Sequence, residues 1–161
     1  MTAAAPVLSD RYRPAFDAFL ANRREPETIT RARREAFERF EALGWPSRQQ
    51  EAWRFTDLSA LQTLDLQRPA DALVEASILP TLDAAAYRLV FINGRFAPGL
   101  SKLTPLPERT VIASLGQVLA ADPQAVRNPL DPLPGLAQHP IAALNGAFWE
   151  DGAFIYLLPL S

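Results

Sequence analysis

The stretch ITRARREAFERFEALG, Ile29–Gly44, decides how this chain is read. Ile29, Ala32, Ala36, Phe37, Phe40 and Leu43 recur at helical spacing, which predicts an amphipathic helix with one apolar stripe. Gly44 follows the last periodic residue, where a helix commonly ends on a left-handed glycine. The opposite face carries Arg31, Arg34, Glu35, Glu38, Arg39 and Glu41, with Glu35 and Arg39 at the i,i+4 spacing of an ion pair.

Upstream, Ser9 or Asp10 is placed to cap a first helix towards Leu20 whose apolar face is Tyr12, Phe16, Phe19 and Leu20, with Pro14 obscuring its start. Arg23–Pro26 reads as the intervening loop. Downstream lies Gly44–Leu58, the densest meeting of aromatic, charged and turn-forming residues in the chain. Ser47 and Gln50 match a capping box opening a short helix to about Trp53. Asp57 is placed to cap a turn bearing Leu58, Leu61 and Leu64. Trp45, Trp53 and Phe55, next to a helix presenting Phe37 and Phe40, predict a buried aromatic corner. Glu51, three residues from Arg48 and from Arg54, predicts pairing within that helix.

From Gln67 to Ala86 the pattern weakens to loop, with a short helix at most around Ala72–Ala76. Leu89-Val90-Phe91-Ile92, then Asn93-Gly94, then Arg95-Phe96 is a hairpin signal. Thr110–Ala113 predicts a strand and Leu115–Ala121 a helical turn. Five prolines between Pro123 and Pro140 forbid a continuous helix or central strand there. Ile141–Trp149 reads as a helix with Ile141, Leu144, Phe148 and Trp149 inward. Asp151-Gly152 reads as a turn before the apolar strand Ala153–Leu158. That strand leaves an apolar edge with no neighbour after it, a liability that proteins cover; the expectation is a partner or a longer chain. The fold class is α+β, with a helical region over 1–86 and a hairpin, helix and strand segment over 87–161.

Composition narrows the chemistry. The 161 residues are 48% apolar, with sixteen basic and eighteen acidic residues and a formal charge of −2, which provides no general attraction to nucleic acid or anionic membrane. No cysteine is present, so thiolate metal sites and cysteine nucleophiles are excluded within these residues. The sole histidine, His139, lies beside Pro140 with no Gly-x-Ser-x-Gly elbow to serve, and neither a Walker A sequence nor Gly-x-Gly-x-x-Gly occurs. Arg31, Arg33, Arg34, Arg39, Arg48 and Arg54 cluster, but ten basic and nine acidic residues interleave as far as Asp57, which predicts a salt-bridged helical surface in place of a phosphate track. Neither a secretion signal nor a membrane-spanning run is legible, so the expected location is the cytoplasm. No active site is recognisable, and the expectation is that the chain is not an enzyme.

The wording of 46–58 is more specific than its physics. Pro46-Ser47-Arg48, Glu51 and Trp53-Arg54-Phe55-Thr56-Asp57-Leu58 resemble the N-terminal signature of the SufD proteins, scaffold subunits of the SUF iron–sulfur cluster assembly system and members of the SufB/SufD family. Leu89–Phe96 with Asn93-Gly94, and Ala143-Leu144-Asn145 with Phe148, Asp151-Gly152 and Phe154-Ile155, resemble two later blocks of the same family in the same order. The resemblance implies an N-terminal portion only: a helical region and the entry to a right-handed parallel β-helix. It implies a non-catalytic part of a scaffold that works with SufB and SufC, with no cofactor in this segment and the iron–sulfur cluster belonging to the full complex. The cysteine and histidine that the family uses in cluster building have no counterparts here. The residues that carry the resemblance are Arg48, Glu51, Trp53, Arg54, Phe55, Thr56, Asp57, Asn93, Gly94, Asn145, Asp151 and Gly152. From the residues alone, a stand-alone adaptor binding through the edge of Ala153–Leu158 stays open.

Overall fold

A computed structural model describes residues 8–64, 69–80, 87–103, 105–125, 136 and 138–158, with the side chains of 8–10 and 63 left aside. The residues divide into two compact units, Met1–Gln67 with Asn128–Phe148, and Arg68–Arg127 with Trp149–Ser161. The units therefore interleave along the sequence, unlike the consecutive segments 1–86 and 87–161 that the sequence suggests.

The first unit is built on α1 (Leu8–Ala21), α2 (Glu27–Leu43) and α5 (Pro140–Phe148), and it also contains the short α3 (Ser59–Thr63). α1 already contains Ser9 and Asp10, so neither caps it, and Pro14 lies inside it. Having no N–H, Pro14 leaves one turn of that helix without its backbone bond. α2 covers its predicted span. Gly44 ends it at φ 70°, ψ −177°, a positive φ as expected but extended in ψ, in a region that only glycine enters at low cost. Its N–H bonds to the Phe40 carbonyl at 2.9 Å. Glu35 pairs backwards with Arg31 at 3.9 Å, not forwards with Arg39.

The core is aromatic. Phe16 and Phe37 stack with centroids 4.2 Å apart, Tyr12 meets Phe40 edge-on at 5.9 Å, and Phe148 from α5 approaches Phe16 at 5.5 Å. α5 docks on α2 through small residues: Ala143 and Ala147 are buried with Ala36, and a methyl on Gly146 would lie 3.2 Å from that of Ala36. The inward line of α5 is thus Ala143 and Ala147, with Leu144 and Phe148 flanking it, where the sequence favoured the large residues. Small side chains permit the close helix approach, and the large ones then reach around it.

Arg33 sits in the middle of this unit with 1% of its surface exposed. Its Nε donates to Glu25 Oε1 at 2.8 Å, its Nη1 donates to the Ala147 carbonyl at 3.3 Å, and its guanidinium lies 5.2 Å from the Phe19 ring centroid. A cation at the last carbonyls of α5 answers both the unpaired acceptors and the negative end of that helix. Arg33 shares the buried face of α2 with Ile29, Ala36, Phe37 and Phe40.

In the second unit, β1 (Phe91–Ile92) and β2 (Arg95–Phe96) form the predicted hairpin, pairing Phe91 with Phe96 and Ile92 with Arg95. Asn93 at φ 50° and Gly94 at φ 79° make the turn that Asn-Gly favours. β3 (Thr110–Ser114) leads directly into α4 (Leu115–Ala121) and pairs antiparallel with β4 (Ala153–Leu157), Ile112 opposite Ile155. The helix expected around Ala72–Ala76 is instead one 3₁₀ turn at Ala76–Ile78. Among the described residues no helix is long and apolar enough to cross a membrane.

Removing the Arg33 side chain takes the donor from the α5 carbonyl and the buried cation from Glu25, which keeps its pairing with Arg23 at 3.2 Å. Arg33→Met is expected to cost ~3 kcal/mol or more in urea unfolding, the loss typical of breaking one side of a buried ion pair. The double variant Arg33→Met/Glu25→Met should lose less than the two single losses added together; strict additivity of the single losses would mean that the pair itself contributes nothing.

Candidate functional site

The stretch that carries the family wording lies on the surface of the first unit. Pro46 is buried and Trp45 packs against Tyr12 and Phe40, but from Ser47 onward nearly every side chain is exposed. The reason is local. The Gln50 N–H bonds to the main-chain carbonyl of Ser47 at 3.0 Å, closing a turn, and is not received by the Ser47 hydroxyl as a capping box requires. The next element is a single 3₁₀ turn, Glu51–Trp53, too short to present a face to a core.

The predicted aromatic corner is consequently only half there. Trp53 is half-buried, its ring centroid 5.1 Å from that of His139. Phe55 is 86% exposed, and its contact is the Arg54 guanidinium, 4.5 Å from the ring centroid. Arg54 also pairs with Glu51 at 2.6 Å, as the i,i+3 spacing predicted, whereas Arg48 turns away from Glu51 to donate to the Arg54 carbonyl at 3.4 Å. The Thr56 N–H donates to the Trp53 carbonyl at 2.8 Å. Asp57 accepts the Ser59 N–H at 2.9 Å at the head of α3, near its expected role, and that bond, followed by one from the Ser59 hydroxyl, holds the Asp57 carboxyl below the usual aspartate range. Asn145 lies on the exposed side of α5.

His139 has a structural part that its loop position concealed: Nδ1 accepts the Ala142 N–H at 3.3 Å, capping the N-terminus of α5. That bond requires the tautomer with Nδ1 unprotonated.

Asn93, Gly94, Asp151 and Gly152 belong to the second unit. The Asn93 amide donates to the Ala70 carbonyl at 3.0 Å, and Arg95 pairs with Asp71 and, at 3.9 Å, with Glu150. Asp151 does much more than make a turn. Its Oδ1 accepts from the Ser114 hydroxyl at 2.7 Å, the Gly116 N–H at 2.9 Å and the Gly152 N–H at 2.8 Å, while Oδ2 accepts from the Phe96 N–H at 2.9 Å. One carboxylate thereby ties the first hairpin, the start of α4 and the start of β4. Ser114, buried, completes the arrangement by accepting the Gln117 N–H at 3.1 Å. Ser114 and Gln117 have the same spacing as Ser47 and Gln50. The spacing recurs in the sequence, and at Ser114 it works because an extended strand delivers the serine with the dihedrals of a helix cap.

No group of three or more His, Asp or Glu side chains among the described residues is placed to hold a metal ion. Arg48, Glu51, Trp53, Arg54, Phe55, Thr56, Asp57 and Asn145 fall in one unit, Asn93, Gly94, Asp151 and Gly152 in the other. The first group offers a surface, the second a hydrogen-bonded frame.

Residues 10–159 match the family described as the SufBD protein N-terminal region. The chain belongs to that family. It is also 30% identical, over 138 residues, to an iron–sulfur cluster assembly SufBD family protein of the cyanobacterium Synechocystis sp., an alignment that covers 83% of this chain and 30% of that protein. The chain thus spans about a third of the length of its relative, and matches the SufBD N-terminal region over almost all of its own.

Two substitution experiments separate frame from surface. Asp151→Asn puts an amide N–H₂ where N–H and O–H donors converge, and thermal or urea unfolding should show a loss of ~2 kcal/mol or more. Along the surface stretch, Trp53→Ala should cost ~1–2 kcal/mol because the ring is only half-buried, and Phe55→Ser should fall within ~0.5 kcal/mol of the parent.

Proposed function

We propose that this chain is the N-terminal region of a SufD-like subunit, a non-catalytic accessory part of a SUF iron–sulfur cluster assembly complex in the cytoplasm. The observation that carries this reading is the SufBD N-terminal match over residues 10–159. The exposed lie of Arg48–Asp57 adds to it, because the stretch presents Phe55 with Arg48 and Arg54 outside the core, and aromatic and arginine side chains are enriched at interfaces. In this reading the region precedes a β-helix core, the complete protein works beside SufB and SufC, and the cluster is cargo of the complex. The chain itself binds no cluster and hydrolyses no ATP.

The experiment is co-purification with SufB and SufC of the complete protein and of the protein lacking residues 1–161. Both should retain the two partners, and the 161-residue chain alone should yield no stoichiometric visible chromophore on iron–sulfur reconstitution. A chromophore on that chain, or failure of the complete protein to hold SufB and SufC, would sink the proposal.

A second reading rests on β4. Ile155 is 61% and Leu157 67% exposed on a strand whose pairing partner among the described residues is β3 alone. Such an edge suits strand addition by a partner. An adaptor of this kind would keep its binding in Phe55→Ser and lose it in Ile155→Lys.

A further inference from the structure

We infer that Arg88 and Lys102 form a small phosphate-binding site in the second unit. The two residues face each other across an antiparallel bridge, and the N–H of each donates to the carbonyl of the other at 2.7 Å. In a pair bonded this way the two side chains leave the same face of the ribbon, with Cβ atoms about 5 Å apart. Two cations so placed repel each other, which a fold normally avoids by setting an acid opposite a base.

The chain answers another cation of this unit in that way. Arg95, a few residues on, pairs with Asp71 and with Glu150. Among the described residues no acid lies within ion-pair distance of Arg88 or Lys102. Independently, the Nε of Arg88 is buried and has no hydrogen-bond partner among the described residues. A guanidinium N–H withdrawn from water with no acceptor is a rare arrangement, because the desolvation is uncompensated. The unmatched positive charge and the unmatched donor belong to the same side chain, and one oxyanion satisfies both.

Phosphate fits best. Its dianion matches two cations, its tetrahedral oxygens can take the guanidinium edge and the ammonium together, and Arg with Lys is a common pairing for it. The chain's net charge of −2 provides no long-range field for a polyanion, so the site suits one small group and not a nucleic-acid backbone. Free phosphate and a phosphate monoester share this chemistry.

The test is a ¹H–¹⁵N NMR titration of the 161-residue chain with sodium phosphate at pH 7.5, beside sodium chloride at matched ionic strength. Saturable shifts are expected at the amides around Arg88 and Lys102 and at the Arg88 Nε–H, in phosphate and not in chloride. Phosphoethanolamine, run in parallel, tells whether an ester binds more tightly than the free ion. Arg88→Gln and Lys102→Gln should each weaken binding by roughly tenfold or more, and Lys102→Glu, which supplies a carboxylate from within, should abolish it while the spectrum stays dispersed. Shifts that track ionic strength alike in both salts, or a saturation curve unchanged in the folded variants, would overturn the assignment.

Discussion

The helical unit depends on where one cation is buried. Arg33 emerges from the apolar stripe of α2, reaches the Glu25 carboxylate in the preceding loop and the Ala147 carbonyl at the end of α5, and lies against Phe19 of α1. A buried charge without such partners is prohibitive, so the arrangement admits few alternatives. The loop must bring Glu25 back over the helix, and α5 must end where its carbonyls face the guanidinium. The small residues Ala36, Ala143, Gly146 and Ala147 then become comprehensible, because only a close α2–α5 approach lets one side chain span both helices. Tyr12, Phe16, Phe37 and Phe40 form the buried aromatic core, and Arg33 bridges the elements around it.

The second unit uses the opposite charge for a comparable task. Asp151 accepts four donors and ties β2, α4 and β4 to one point. Its Oδ1 receives a first-turn N–H of α4, where a carboxylate is favoured by the helix dipole as well as by the bond. Each unit thus has a charged side chain acting as a hub at a helix end, Arg33 at the C-terminus of α5 and Asp151 at the N-terminus of α4. Such hubs are economical in a chain with short strands and a short α4, whose elements could not hold their positions through strand pairing alone.

The surface stretch Arg48–Asp57 has a different character. Its side chains contact chiefly one another: Arg54 with Glu51 and Phe55, Arg48 with the Arg54 carbonyl, Asp57 with Ser59. Trp53 reaches furthest from it, to His139, which caps α5. Family membership is legible in this stretch, yet its physical role is not, since aromatic residues next to an aromatic helix suggest burial. Burial depends on whether the backbone carries a side chain inward, and a lone 3₁₀ turn after the turn closed by the Ser47 carbonyl does not.

The sequence by itself determined the elements with strong local signals and the family. The period of α2, the Asn93-Gly94 turn and the strand-to-helix passage through Ser114 are each encoded within a few residues, so short-range physics suffices. Only the tertiary structure decided which residues those elements use to hold one another. Arg33 looked like one more arginine on a salt-bridged helix until α5 arrived from more than a hundred residues away, and Asp151 like a turn residue until Phe96, Ser114 and Gly116 converged on it. The burial of a charge is settled by partners distant in sequence, and no periodicity within one segment can announce them.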